Sequence, residues 1–491
     1  MEEQSQPSGG TASAAPRGRA MWVVVAVLVV IVVVVLAAAL AGLFNRGTPT
    51  PTPTVKQLKI GTLLSITGAL SPYGPGDTKG AQLAVAQINA AGGVLGQPVI
   101  LYSDDDQTDP TAAASATTRL ITQNHVNAIV GAQFSGGTLA SIGIAKANGV
   151  PMVSPSATSP ALSNLTITGG YFFRTAPSDA LQGVVAADYL YTNLSYRWVN
   201  LIARDDSYGR GLVGVIAQKF VSLGGHVNTT VIINPLGTNF DSDLALLFST
   251  NPQAVYFAAF PGEGVIVMSN WQASQGSNPS YQRPWIFSEG LQSQSFIDQL
   301  NASSVGVDVR ALLGTAPVSP FGAIHDIFVA QYKAQFNNQN PVLYADYTYD
   351  AVYLIALAAQ KAGSVNGTAI QANLRAVSGG LGGSGTVIKP GQWSLALSTL
   401  NQTGGAVNWE GAAGSENFDA NGDVRGSYEV WGVNTAYQIY RVAFIPESII
   451  SVSSQVTAQA LATQLGSQRS FVTQLQASLV GSQVSGISRL N

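Results

Sequence analysis

The sequence predicts an α/β protein of two lobes with parallel sheets, preceded by one transmembrane helix. From Leu58 onward short β-rich runs alternate with amphipathic helical stretches, which is typical of a parallel sheet with crossover helices. The alternation occurs as two separate series, the second starting near residue 197, and this predicts two lobes. A charge-free run over residues 21–44 predicts the membrane helix. At 491 residues the chain is long enough for all three parts.

The apolar run 21–44 reads MWVVVAVLVVIVVVVLAAALAGLF and is long enough to span the hydrocarbon core of a bilayer as a helix. Two arginines precede it and one follows it, which favours a cytoplasmic segment 1–20 and an extracellular body. The alternative is a signal peptide cleaved after the small-residue sequence Ala39-Leu40-Ala41. We expect a single-pass protein of the cell membrane whose binding domain lies outside the cell.

The segment 45–56 is expected to be a linker, because prolines alternate with threonines over residues 48–54 and favour an extended spacer. The chain has no cysteine, so neither a disulfide nor a thiol-linked lipid can hold it outside the cell. Only 10% of its residues are charged, against roughly 25% in typical soluble domains. A net charge of -3 without a basic block argues against nucleic acid as a partner.

The first series opens with a strand over 58–67 and a helix over 78–93. In this helix Ala81, Ala84, Val85 and Ile88 share one apolar stripe, and a glycine pair ends it. The series continues with alternating strand and helix segments at 97–106, 110–125, 127–133, 138–149 and 151–156.

The second series alternates in the same way through segments at 198–206, 208–225, 227–235, 240–250, 254–260, 262–276, 284–290 and 312–317. After Pro320 we predict two helices, over 321–336 and 345–363, and then a β-rich, glycine-rich return through residue 441. The last segment, 446–491, has apolar residues near helical spacing and is predicted to be a helical tail.

Ligands of open α/β sheets collect beyond the carboxyl ends of the strands, where loops and helix N-termini meet. After the strand segment 127–133 the chain gives Phe134-Ser135-Gly136-Gly137-Thr138 and enters a helix. After residues 151–153 it gives Ser154-Pro155-Ser156-Ala157-Thr158. Hydroxyls and helix N–H groups at these points suit a carboxylate. Simple N-capping of the helices explains the same residues equally well.

In the second series Glu289 follows an apolar strand and precedes a glycine. A carboxylate there can neutralise a ligand ammonium through a charge-assisted hydrogen bond. The alternative is a solvated loop carboxylate.

Seven segments, in order, resemble the leucine/isoleucine/valine-binding family of ABC importers, which are type I periplasmic binding proteins. The resemblance covers about residues 57–445. The segments are IGTLLSITGALSPYGPGDTKGAQLAVAQINAAGGVLGQPV, SDDDQTDPTAA, VPMVSPSATSPAL, RDDSYGRGL, FSEG, YTYDAVYL and NFDANGDVRGSYEVWGV. The family implies Rossmann-like lobes joined by a three-strand hinge, with crossings near residues 176, 317 and 427. Lobe 1 would then comprise 57–176 and 318–427, and lobe 2 would comprise 177–317 and 428–445.

The resemblance also implies which residues touch the ligand. Residues from both lobes match the positions that hold the α-carboxylate, the ammonium and the side chain of an amino acid in the family. They are Tyr73, Ser135, Ser156, Thr158, Tyr208, Glu289 and Tyr349. Phe260 stands where leucine-binding members carry a tyrosine, and Phe134 replaces a smaller residue, so the side-chain pocket differs from that of a leucine binder.

An enzyme is not expected. The three histidines, His125, His226 and His325, are isolated in sequence, and neither a G-x-S-x-G elbow nor a Gly-Lys phosphate loop occurs. We therefore expect no catalytic residue, metal or cofactor. The sequence favours an amino-acid receptor that delivers its ligand to the permease subunits of an ABC importer. Alternatives are a receptor for an amide, urea or an aromatic acid, a sensory ectodomain on the same fold, or a surface-layer protein.

Overall fold

The computed structural model describes Trp22 and residues 25–36, 57–302, 304–320 and 322–450. Residues 25–36, inside the predicted membrane span, are helical. Among the described residues, no helix is both long enough and apolar enough to cross a membrane. The predicted segment 1–20, the linker 45–56 and the tail beyond residue 450 lie outside the described residues.

Lobe 1 is built on a five-stranded sheet in the order β2-β1-β3-β4-β5, in which every neighbouring pair is parallel. Its strands are β1 (Lys59–Leu64), β2 (Ile100–Asp105), β3 (Ala128–Gly131), β4 (Met152–Ser154) and β5 (Phe172–Arg174). The helices between them are α1 (Gly74–Ala90), α2 (Pro110–Thr122), α3 (Ser135–Ala147) and the short α4 (Leu165–Thr168). On α1 the predicted stripe holds, since Ala81, Ala84 and Ile88 are buried in the core of this lobe.

Lobe 2 is built on a seven-stranded sheet in the order β14-β13-β10-β9-β8-β6-β7. Its strands are β6 (Trp198–Arg204), β7 (His226–Ile233), β8 (Ala254–Ala258), β9 (Trp285–Phe287), β10 (Leu313–Val318), β13 (Ser427–Val433) and β14 (Ile439–Ile445). Its helices are α5 (Asp179–Asp188), α6 (Ser207–Ser222), α7 (Asp241–Phe248), α8 (Pro261–Gln275) and α9 (Gln294–Asn301). The sheet departs from the all-parallel prediction, because β13 pairs antiparallel with β10 and with β14.

The chain passes between the two sheets after β5, after β10 and before β13. Both helices predicted after Pro320 are present, as α10 (Ala323–Gln335) and α11 (Ala345–Ala362). Helix α11 is buried along almost its whole length and belongs to the core of lobe 1. A late stretch of sequence thus completes the lobe that the first series began.

The prediction of a β-rich return after α11 was wrong in part. Two further helices, α12 (Gly367–Val377) and α13 (Trp393–Leu400), accompany a small parallel pair, β11 (Thr386–Ile388) and β12 (Val407–Trp409). The Asn366 side chain caps α12 by accepting the N–H groups of Thr368 and Ala369. The many glycines around these helices obscured their apolar periodicity.

Candidate ligand-binding site

A small cavity lies between the lobes, where the carboxyl ends of β3 and β4 meet the start of α6 and the turn after β9. Its volume is about 20 Å³, which is room for roughly one water molecule. It is lined by Leu70, Tyr73, Gln133, Phe134, Ser135, Ser156, Tyr208, Phe260, Glu289, Gly290 and Tyr344. Five of the seven residues predicted from sequence therefore line one cavity: Tyr73, Ser135, Ser156, Tyr208 and Glu289.

Serine hydroxyls join the two lobe 1 loops that form one side of the cavity. The Ser156 hydroxyl donates to the carbonyl of Gln133 at 2.6 Å. The Ser135 Oγ accepts the backbone N–H of Ser159 at 3.1 Å. A hydroxyl that accepts one hydrogen bond still has its own hydrogen to donate. Ser135 can thus hold the loops together and also bind an anionic ligand group.

A buried arginine at the end of β5 stabilises the lobe 1 loop that follows β4. The side chain of Arg174 is fully buried and forms a 2.7 Å ion pair with Asp423. Its Nη1 donates to the carbonyls of Ala157 and Ser159, at 3.1 and 2.9 Å. Sequence reasoning missed this residue, although an arginine that ends the apolar run Phe172–Arg174 was a possible signal.

Glu289 is the acidic group of the cavity, and only 3% of its surface is exposed. The Gln182 side-chain amide donates to its Oε2 at 2.5 Å. Burial raises the pKa of Glu289 to about 7, and the nearby Tyr208 hydroxyl and the hydrogen bond from Gln182 oppose the rise. The carboxylate is not the solvated loop group that sequence allowed as an alternative. Because burial removes water from the ionised carboxylate, a cation beside it would stabilise that form.

A second buried acid, Asp179 at the start of α5, interacts with Glu289. Its side chain accepts a hydrogen bond from the Thr158 hydroxyl at 3.0 Å. Burial, followed by the nearby charge of Glu289, raises the pKa of Asp179 well above its usual range. Thr158 was predicted to contact the ligand. In the structure its hydroxyl bonds to Asp179, and Thr158 is not one of the residues that line the cavity.

The lobe 2 wall of the cavity is a stack of side chains. The Phe260 ring lies 5.2 Å from the ring of Tyr208, nearly parallel to it, and the Arg204 guanidinium lies 3.8 Å from the Phe260 ring centre. Arg204 is itself paired with Glu263 at 2.5 Å and with Asp206 at 2.6 Å. Glu263 in turn accepts the backbone N–H of Phe260 at 2.8 Å. These contacts fix Phe260 from both its side chain and its backbone.

Tyr349 was expected near the cleft and lies elsewhere. Its hydroxyl donates to Gln87 Oε1 at 2.5 Å, and its ring is buried in the core of lobe 1. The aromatic residue that lines the cavity from the same part of the chain is Tyr344, which precedes α11 and has a positive φ of 75°. Sequence offered no signal for Tyr344, because its position depends on contacts between distant segments.

Three residues that line the cavity have a buried oxygen without a hydrogen-bond partner. These atoms are Gln133 Oε1 and the hydroxyls of Tyr208 and Tyr344, in side chains that are 2%, 2% and 5% exposed. Buried polar atoms are normally paired, and an exception calls for a missing water or ligand. Among the described residues no group of three or more histidine or acidic residues could hold a metal ion. The unpaired oxygens and the hydroxyl and carboxyl groups of the lining give the cavity the features of a site for a small polar ligand.

A sequence profile described as periplasmic binding protein matches residues 57–409. The Leu/Ile/Val-binding protein BraC3 of Rhizobium johnstonii is 32% identical over 211 residues, which are 42% of this chain and 56% of that protein. A chemotactic signal transduction system substrate-binding protein, BasB of Halobacterium salinarum, is 28% identical over 387 residues, 74% of this chain and 83% of that protein.

Among solved structures, the fold is similar to that of a leucine-binding protein, LivK, from Thermotoga maritima. The two chains superimpose with a TM-score of 0.65 at 26% sequence identity, over 79% of this chain and 99% of the other.

Proposed function

Because the chain belongs to the periplasmic binding protein family, we propose that it binds an amino acid in the cleft between its lobes and delivers it to an ABC permease. The observation that carries the proposal is the pairing of opposite chemistries in one cavity. Ser135 and Ser156 supply hydroxyls on one side, and Glu289 supplies a buried carboxylate on the other. An α-amino acid has a carboxylate for the first and an ammonium for the second.

The named relatives support the ligand class without fixing the ligand. The Rhizobium protein is a Leu/Ile/Val-binding protein and the Thermotoga protein a leucine-binding protein. In this chain Phe260 and Phe134 line the cavity, so its ligand need not be the leucine that those proteins are named for. Amides, urea and aromatic acids belong in the same ligand screen as alternatives.

Binding is tested by thermal unfolding of the protein with a panel of amino acids and these alternatives. A ligand present at a hundred times its Kd stabilises the folded protein by about 2.7 kcal/mol. Glu289→Gln should weaken amino-acid binding by about 10- to 100-fold, because it removes a charge-assisted hydrogen bond. Asp298→Asn, which removes an exposed acid from α9, is the matched control. Equal affinity of wild type and Glu289→Gln would show that the ammonium contact is wrongly assigned.

A second candidate is the ligand-binding part of a sensory system, and the similarity to the chemotactic substrate-binding protein BasB supports it. Ligand uptake by cells separates the two candidates. Loss of the protein should abolish high-affinity uptake if it serves an importer. Unchanged uptake with a lost behavioural response would favour the sensor.

We further propose that the apolar run 21–44 tethers the protein to the cell membrane. The run has no charge, and the helical residues 25–36 within it have exposed side chains. The tethered protein should stay with the membrane fraction through an alkaline carbonate wash, and a variant lacking residues 1–44 should be released. Recovery of the intact chain in the wash would contradict the tether, and a mature N-terminus after Ala41 would indicate cleavage.

A further inference from the structure

A second space between the lobes lies next to the small cavity. It is a groove of about 520 Å³, within the range of about 300–1,000 Å³ typical of ligand pockets. Tyr73 lines both the cavity and the groove and forms part of the wall between them. Its hydroxyl donates to the carbonyl of Gly290 in lobe 2 at 3.1 Å. A single side chain and its hydrogen bond thus contribute to closing the cavity on this side.

The cavity must enlarge to accept an amino acid, and its lobe 2 wall resists enlargement. Phe260 is held by Arg204, Tyr208 and Glu263. Beside it, a Cβ on Gly290 would lie 2.5 Å from the carbonyl oxygen of Ala259, so this backbone is already in close contact. Space for a ligand side chain is therefore easier to open toward Tyr73 and the groove.

Asp346, at the start of α11, is an acidic group of the groove without a strong cationic partner. Among the described residues, no lysine or arginine nitrogen lies within 4.0 Å of its carboxylate, which accepts hydrogen bonds from the Ser319 hydroxyl and the Tyr347 N–H. The nearest basic group is His325, whose Nδ1 is 3.4 Å away. The other acid of the groove, Glu429, is paired with Arg441 at 2.5 Å.

Two further buried acids, Asp350 and Glu416, lie near Asp346. Burial is the main cause of a raised pKa for both Asp350 and Glu416, and the charge of Asp346 raises both pKa values further. A cation placed beside Asp346 would favour the ionised forms of Asp350 and Glu416, which burial otherwise disfavours.

We propose that the ligand is an α-amino acid whose long side chain ends in a cation, and that Asp346 binds this cation. The inference rests on the proposed function. The α-carboxylate and ammonium occupy the cavity beside Ser135 and Glu289. The side chain displaces the Tyr73 hydroxyl from the Gly290 carbonyl and enters the groove, where its cationic end pairs with the Asp346 carboxylate.

Calorimetric titration of the full chain with lysine, norleucine and alanine tests the inference. Norleucine has the carbon chain of lysine without the terminal ammonium. Lysine should bind at least about tenfold more tightly than norleucine, because it alone can make the charge-assisted hydrogen bond. Asp346→Asn should remove this difference by weakening lysine and leaving norleucine unchanged. Asp326→Asn, an exposed acid on α10, is the matched control and should change neither.

Equal or weaker binding of lysine than of norleucine to the wild-type protein would overturn the inference, even if Asp346→Asn failed to fold. Parallel losses of lysine and norleucine affinity in a folded Asp346→Asn would overturn it as well. Binding of alanine or norleucine with no preference for lysine would leave the proposed function intact. Absence of binding by every amino acid tested would overturn the proposed function itself.

Discussion

At the residue scale, the central property of the site is a buried carboxylate, Glu289. The pKa of Glu289 is raised to about 7 by burial. The folded protein therefore takes up a proton there as the pH falls through about 7, whereas the unfolded chain does so only near the ordinary glutamate pKa of 4.5. The residue type and its place after a strand were readable from sequence. Its burial was not, because side chains of both lobes and Gln182 cover it.

This difference predicts how stability depends on pH. The neutral form of Glu289 fits the folded protein better than the ionised form, so its contribution is fully present below about pH 4.5 and is lost as the pH rises through about 7. The expected loss is about 3 kcal/mol. In Glu289→Gln this loss should disappear, so the variant gains stability relative to wild type as the pH rises.

Urea unfolding of the ligand-free protein between pH 4.5 and 8 measures the effect. Other buried acids, such as Asp350, titrate in both proteins and cancel in the comparison. Asp326→Asn should give a curve parallel to wild type, because that side chain is exposed. A parallel curve for Glu289→Gln would mean that Glu289 titrates in the folded protein as it does in the unfolded chain.

At the element scale, strands and helices with a regular apolar pattern could be predicted, and those set by distant contacts could not. Helix α1 shows both the stripe and the glycine stop that the sequence predicts. The antiparallel pairing of β13 with β10 was not readable, because a strand's direction in a sheet depends on the path of the chain before it. Helix α12 was missed although Ile370, Leu374 and Val377 are buried at helical spacing.

The same distinction separates the two aromatic residues of the late segment. Tyr349 lies within the motif YTYDAVYL and was assigned to the cleft by resemblance. It faces the lobe 1 core because α11 is surrounded by protein. Tyr344 precedes the helix and lines the cavity. The position of each tyrosine relative to the start of α11 determines which ring lines the cavity. A match to a sequence motif does not show this difference.

At the scale of the whole molecule, two series of alternating elements were enough to predict two lobes. The relation between the lobes was beyond the sequence, because it depends on contacts between residues far apart in the chain. The cavity between them has room for about one water molecule, so the described lobes are closed on each other. Hydrogen bonds cross the interface beside the cavity from Tyr73 to Gly290, from the Thr158 hydroxyl to Asp179, and from the Ser159 hydroxyl to the carbonyl of Ser207 at 2.9 Å.

These bonds predict that Ser159 influences closure without touching the ligand, since it is not among the residues that line the cavity. A neutral hydrogen bond contributes about 0.5–1.5 kcal/mol, which is a two- to roughly tenfold change in an equilibrium between open and closed forms. Ser159→Ala should therefore raise the open fraction of the ligand-free protein by that factor and weaken ligand binding accordingly.

The absence of cysteine allows a direct measurement of this equilibrium. Spin labels on cysteines introduced at Ser115 of α2 and Val221 of α6, both exposed, report the distance between the lobes. Because Ser159 also accepts the N–H of Ala161, the control must remove a similar local bond. Asn164→Ala does so, since Asn164 accepts the N–H of Thr166 and is not bonded to lobe 2. Longer distances in Ser159→Ala but not in Asn164→Ala would assign the effect to the bond between the lobes, whereas identical distributions would show that this bond does not hold the cleft closed.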